Sequence, residues 1–164
     1  MTKKKEVKES VTEPVQDDVL AIPFVKVEQL GIFPTIRTAY ANDVGHDLPV
    51  ASYTEVRPGT KVQLRHNLAV AIPEGAFGLI LPRSSTFVRT GLVVIPGVID
   101  PGYRGEVMTI IHNPTNSVVF LTEGDYVSQI LILPYLPARF YDTKKLPPSE
   151  RGERGFGSSD NRSY

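Results

Sequence analysis

The feature that most constrains this chain is punctuation. Over residues 24 to about 136, short apolar runs recur at close spacing, separated by glycine, proline and asparagine, and none sustains a 3.6-residue period. The runs 24–30, 61–70, 78–81, 106–112, 117–121 and 126–133 read as strands. Several alternate with period two, as at Val62 and Leu64 and again at Leu68, Val70 and Ile72. Many short strands without alternating helices exclude a doubly wound parallel sheet and predict an all-β domain, a distorted jelly roll or β-barrel. One stretch, 82–91, suits a very short helix: serine precedes it as an N-cap and Gly91 follows as a stop.

The ends read differently. Residues 1–18 are polar and charged, cannot repay the entropy of ordering, and are predicted to be a disordered tail. Lys3, Lys4, Lys5 and Lys8 in it are interleaved with acidic residues, and no apolar h-region follows them, so neither an anion-binding segment nor a signal peptide is expected. The core is predicted over 19–136. Pro134, Pro137, Pro147 and Pro148 then open a linker leading to a glycine- and serine-rich flexible arm, so that 137–164 lies off the core. Extended at roughly 3.1 Å per residue, the stretch 134–150 reaches about 50 Å, enough to cross onto a neighbouring subunit.

Charge narrows the function. Lysine plus arginine number 18 and aspartate plus glutamate 18, so no excess of positive charge favours nucleic acid or a membrane surface, and any anion must be held locally. Cysteine is absent, which removes disulfides, thiolate catalysis and cysteine-ligated zinc. No apolar run reaches membrane-spanning length, and a cytoplasmic protein (host cytoplasm for a viral one) is expected.

Four segments carry groups suited to chemistry. Arg83, Ser84 and Ser85 open the short helix, where hydroxyls, a guanidinium and free N–H groups suit phosphate; an ordinary capped surface loop is the competing reading. Residues 97–106 lie between the apolar runs 92–95 and 107–111 and read as a hairpin with Asp100 and Tyr103 near its tip. There a carboxylate could act as general base and an aromatic face could stack on a sugar, although a Pro-Gly turn with Asp100 bonding its own backbone has the same residues. In Gly45-His46-Asp47-Leu48, Asp47 could hold magnesium directly or through water, whereas His46 reads as a surface or satisfied histidine. In the arm, Arg151 and Arg154 suit phosphate and Phe156 between two glycines suits stacking on a base. No Rossmann or P-loop glycine pattern is present, and no zinc-deaminase signature.

Taken in order, these segments resemble the five motifs of the trimeric dUTPase family: Gly45-His46-Asp47-Leu48, Pro82-Arg83-Ser84-Ser85, residues 97–106, Gly124-Asp125-Tyr126-Val127-Ser128-Gln129, and residues 151–159. The resemblance implies hydrolysis of dUTP to dUMP and pyrophosphate with Mg2+, in a homotrimer whose arms close neighbouring sites. It implies that Asp100 activates the attacking water and that Tyr103 packs on deoxyribose and excludes a 2′-hydroxyl. It implies that Arg83, Ser84 and Ser85 hold the phosphates, and that Asp47 and Gln129 position magnesium and water. It implies that the base is read by backbone around Val94 and at Gly97, Val98 and Ile99. It implies as well that Arg151, Ser158 and Ser159 grip the γ-phosphate, while Phe156 and Gly157 cover the uracil.

His46, Gly102, Val94, Arg154 and Asp160 depart from the commonest pattern of that family. The stretch Ile99-Asp100-Pro101-Gly102 also resembles dCTP deaminases, but their catalytic glutamate falls at Ile110, which cannot shuttle protons. A deaminase or bifunctional enzyme is therefore the minor alternative, and a nucleotide-sensing regulatory protein is the alternative outside enzymes.

Overall fold

In the computed structural model, residues 20–27 and 35–153 are described. They form eleven strands and one helix in the order β1 (Phe24–Lys26), β2 (Gly45–Pro49), β3 (Thr54–Val56), β4 (Lys61–Arg65), β5 (Leu68–Val70), β6 (Ala76–Pro82), α1 (Thr86–Thr90), β7 (Val93–Ile95), β8 (Gly97–Ile99), β9 (Met108–His112), β10 (Val119–Leu121) and β11 (Tyr126–Pro134). All pairings are antiparallel. The sheets are β2-β11-β6-β8, β4-β9-β7 and the two-stranded β1-β5 and β10-β3. This is the expected all-β, jelly-roll-like architecture with a single short helix.

Alternation builds the core. Along β6, Ala76, Gly78 and Ile80 are buried while the residues between them are less so. Leu48, Leu64, Leu68, Ile72, Leu92 and Ile111 are almost wholly withdrawn from water, and each such side chain contributes about 1.5–3 kcal/mol of burial. Gly78 is where the layers approach closest: a Cβ there would stand 2.8 Å from Ile130 Cδ1 and 2.9 Å from Ile72 Cδ1.

A buried polar chain ties four strand regions together. The His66 Nδ1 lies 2.7 Å from the Pro49 carbonyl, its Nε2 2.7 Å from Thr109 Oγ1, and Thr109 Oγ1 2.9 Å from Ser128 Oγ. The Pro49 oxygen can only accept, so Nδ1 carries the proton, Thr109 donates to Nε2 and Ser128 donates to Thr109. Burial lowers the His66 pKa below its ordinary 6.5, against the opposing effects of the Pro49 bond and Glu106.

Two strand expectations are corrected. The run 61–70 is not one strand: Asn67 adopts φ 54°, its N–H donates to Glu106 Oε1 at 2.8 Å, and the halves pair with different partners, β4 with β9 and β5 with β1. The stretch 97–106 is not wholly a hairpin tip. β7 and β9 do pair, with Val94 opposite Ile111, but after Pro96 the segment Gly97–Ile99 leaves that ladder and pairs with β6. Past β11 the described chain forms neither helix nor strand, and Leu136, Phe140 and Tyr141 are largely exposed.

Candidate functional site

The first group of site residues assembles where β2, β6 and β11 run side by side. Gln129 on β11 is the register partner of both Asp47 on β2 and Leu81 on β6. Asp47 is also bridged to Arg37 by reciprocal backbone hydrogen bonds of 2.7 and 3.3 Å. Arg83, the first residue after β6, places Nε 2.6 Å from Asp47 Oδ1, and its Nη1 donates to the Tyr126 carbonyl at 2.9 Å. The Arg37 guanidinium lies 3.9 Å above the Tyr126 ring, with Nε 3.9 Å from Asp47 Oδ2. The Gln129 amide donates to the Pro82 carbonyl at 2.9 Å, and a Cβ on Gly45 would collide with Gln129 Oε1, so only glycine leaves that amide in place. Asp47, Arg83, Ser84 and Gln129 thereby line a common open cleft of about 310 Å³.

Ser84 lines its edge, and Ser85 follows at the start of the helix. Ser85 occupies the N-cap position but has helical dihedrals (φ −86°, ψ −12°) and makes no side-chain cap, contrary to the sequence expectation. The helix is tied down instead by Thr86, whose hydroxyl donates to the Val127 carbonyl at 2.6 Å. The helix stops at Gly91, at φ 71°, as expected. The Ser85 hydroxyl is thus left available to a ligand.

The second group lies on the turn after β8. The Tyr103 N–H donates to the Asp100 carbonyl at 3.0 Å, closing the turn, and the Tyr103 hydroxyl donates to the Glu106 carbonyl at 3.0 Å. A Cβ at Gly105 would strike the Tyr103 hydroxyl, so glycine there lets the ring fold back over the turn. Glu106 is fixed by Arg65, 2.8 Å away, and by the Asn67 N–H. The Asp100 carboxylate is exposed and has no hydrogen bond or ion pair among the described residues. The alternative in which it bonds its own backbone is therefore not what forms. Val98 is exposed and Gly97 and Ile99 are half-buried, whereas Val94 is buried, its side chain unable to reach a ligand.

These two groups do not meet within one chain. Gly78 is opposite Ile99 and Ile80 opposite Gly97, so Asp100 lies near one end of β6 and Arg83 at the other. Continuing that register sets Asp100 beside Phe77, six residues from Arg83, and at about 3.3 Å each these separate the two by roughly 20 Å. Arg151 is exposed on the extended segment after β11. Arg154, Phe156, Gly157, Ser158 and Ser159 lie outside the described residues, as does the tail at 1–18.

Among the described residues no group of three histidine, cysteine, aspartate or glutamate side chains could hold a metal. Asp47 is already engaged by Arg83, which fits contact with a metal through water better than direct ligation. His46 differs from its sequence reading: its Nδ1 is buried without a partner among the described residues, beside Ile22, Ile36, Ile130 and Ile132. Sequence reasoning missed Arg37. It stands ten positions before Asp47, outside every motif, and only the β-bridge brings it to the carboxylate.

Comparison with known proteins places this geometry. A family model described as dUTPase matches residues 32–160. The deoxyuridine 5'-triphosphate nucleotidohydrolase of Tropheryma whipplei (strain Twist) is 35% identical over 128 residues, covering 76% of this chain and 88% of that protein. The enzyme of the same name from Bifidobacterium longum subsp. infantis is 38% identical over 128 residues, covering 76% and 80%. Among solved structures, the Staphylococcus bacteriophage 80alpha dUTPase with dUPNHPP superposes with a TM-score of 0.78 at 25% identity, covering 86% of this chain and 99% of that one. A mutant dUTPase from phage phi11 of S. aureus, described with a structural Mg(II) ion, gives 0.70 at 22% identity, covering 77% and 98%.

Proposed function

This chain belongs to the dUTPase family, and from that premise we propose that it is a dUTP diphosphatase that hydrolyses dUTP to dUMP and pyrophosphate with magnesium, in sites shared between three copies. The observation that carries the reading is the division of the site. A free carboxylate beside a folded-back tyrosine lies at one end of β6, and a guanidinium, serine and amide cluster lies at the other, roughly 20 Å away. One chain cannot apply both to one triphosphate, whereas a second copy can.

In this reading Asp100 accepts a proton from a water that attacks the α-phosphate. An uncommitted carboxylate supports that role, because a base already bonded to its own turn would have to break that bond first. Tyr103 packs on the deoxyribose, its ring held over Gly105 so that a 2′-hydroxyl has no room. Backbone groups at Gly97, Val98 and Ile99 read the base, and a site that bonds uracil leaves buried groups unpaired against cytosine. Arg83, Ser84 and Ser85 hold the phosphates, and Gln129, fixed by Pro82, orients water beside them. Magnesium supplies charge neutralisation on the triphosphate, and Asp47 fits it through water. The arm, Arg151 with Phe156, Gly157, Ser158 and Ser159, closes the site and excludes bulk water.

A trimer is supported by what one copy leaves exposed. Val93 and Ile95 of β7 and Met108 and Ile110 of β9 form one apolar face of a paired ladder, each of them more than a third exposed. The segment after β11 presents Leu136, Phe140 and Tyr141 to solvent, as a chain seated on a neighbour requires.

The test is a product assay with dUTP, dCTP, dTTP and UTP, with and without magnesium. Magnesium-dependent dUMP and pyrophosphate from dUTP alone is the expected result. Ammonia from dCTP, or no turnover of any nucleotide, would overturn it.

A further inference from the structure

Two acceptors aim the Arg83 guanidinium. Its Nε lies 2.6 Å from Asp47 Oδ1 and its Nη1 donates to the Tyr126 carbonyl at 2.9 Å. Nη2 and the second Nη1 hydrogen are left for a ligand. Whatever fixes Asp47 and Tyr126 therefore fixes Arg83, and one residue touches both. We propose that Arg37 is a positioning residue for the phosphates of the substrate, acting through Arg83; this rests on the dUTP-hydrolysing role proposed above.

Local chemistry brings Arg37 to its place. The Asp43 carboxylate accepts the Ala39 and Tyr40 N–H groups at 3.1 and 2.9 Å, closing a turn that sends the chain back on itself. Arg37 and Asp47 then meet as an antiparallel bridge. Residues directly opposite in such a pair share a face, so the two side chains run together. The same short segment holds Tyr126 at two points: the Arg37 guanidinium lies 3.9 Å above the ring, and the ring hydroxyl donates to the Thr35 carbonyl at 3.2 Å.

The Asp47 carboxylate is divided between the two arginines, Oδ1 to Arg83 and Oδ2 to Arg37. At 3.9 Å the Arg37 contact is too long for a hydrogen bond but close enough for attraction, and Asp47 is nearly buried, where water competes little. Arg37 thus draws Oδ2 to its side and leaves Oδ1 facing Arg83. Without it the carboxylate is held by one guanidinium in place of two and is free to turn, and Arg83 Nε turns with it. The Tyr126 ring also favours Arg37, because the Arg83 guanidinium carbon stands 5.9 Å from its centroid, at the outer limit of cation–π attraction. Loss of Arg37 therefore loosens both acceptors of Arg83 at once.

The experiment is calorimetric titration of the full chain with a non-hydrolysable dUTP analogue, and with deoxyuridine as its competitor. Wild type, Arg37→Lys, Arg83→Ala and the double variant are compared, with melting curves to confirm that each is folded. Arg37→Lys keeps the positive charge but not the planar face that stacks on Tyr126, so it separates positioning from plain attraction between a cation and the triphosphate. It is expected to weaken the analogue about three- to tenfold. Deoxyuridine, which has no phosphate, is expected to keep its affinity. In the Arg83→Ala background the effect of Arg37→Lys should vanish, because nothing is left to position. Wild-type affinity in Arg37→Lys, a parallel loss for deoxyuridine, or the same loss with and without Arg83 would each overturn the proposal; the last would make Arg37 a direct phosphate ligand. A wild type that binds the analogue but does not hydrolyse dUTP would remove the proposed reaction and leave the role of Arg37 standing, whereas one that binds no analogue would remove both.

Discussion

Arg83 Nε and Asp47 Oδ1 lie 2.6 Å apart, joining the residue that follows β6 to the middle of β2. Asp47 is nearly buried and Arg83 about a quarter exposed, so the carboxylate depends on that one guanidinium more than the guanidinium depends on it. Arg83→Ala is therefore expected to cost about 1–3 kcal/mol of stability, by leaving a buried charge short of its partner. Asp47→Asn, which removes the charge, is expected to cost less. Urea denaturation of both single variants and the double variant measures the coupling, and additive losses would show that the pair contributes nothing specific.

Asp100 offers the opposite case. Its carboxylate has no partner among the described residues, so Asp100→Asn should melt with wild type. If it is the general base, kcat for dUTP falls by about 10²–10⁴ while dUTP affinity is kept. Equilibrium binding alongside single-turnover kinetics separates the two, and a variant that still turns over normally would assign the base elsewhere.

Gly45→Ala is expected to separate stability from activity. The new methyl strikes the end of the Gln129 side chain, which can swing away, so the melting temperature changes little. Gln129 then leaves its bond to Pro82, and turnover drops. Restored turnover in a Gly45→Ala, Gln129→Ala double variant would contradict a role for the Gln129 amide.

His66 makes stability depend on pH. Its folded pKa is depressed below 6.5 by burial, so the unfolded chain binds this proton more readily. The contribution is fully present above about pH 6.5 and is lost as pH falls below it, with a slope of at most about 1.4 kcal/mol per pH unit. Melting temperatures between pH 8 and 5 should fall more steeply for wild type than for His66→Gln. Parallel curves would mean that His66 stays neutral in both states or charges without cost.

The exposed ladder face predicts assembly. Sedimentation should give three times the 18.1 kDa chain mass. Ile110→Glu, placing a charge on the β7–β9 face, should shift the protein toward single chains and abolish turnover at the same time, since Asp100 and Arg83 would no longer be supplied to one substrate. An active Ile110→Glu monomer would remove the shared-site model, and truncation after Pro148 should leave a folded core with severely reduced hydrolysis.

What the sequence determined by itself is local. Period-two alternation and the glycine, proline and asparagine between runs specify strands and turns, because side-chain direction and allowed dihedrals are properties of a few adjacent residues. The single short helix and its stop at Gly91 were legible for the same reason, and the family was legible because each of its motifs is contiguous. Tertiary structure alone decided which strands pair and in what register. The break at Asn67 sends β4 and β5 to different partners, β8 leaves the β7 ladder for β6, and the bridge at Asp47 recruits Arg37 from outside every motif. Those outcomes follow from packing between residues distant in the chain, and a pattern of period two cannot encode them, since it is equally satisfied by any partner whose buried face matches. The same register holds Asp100 and Arg83 at opposite ends of β6, which makes a single chain half of the proposed site.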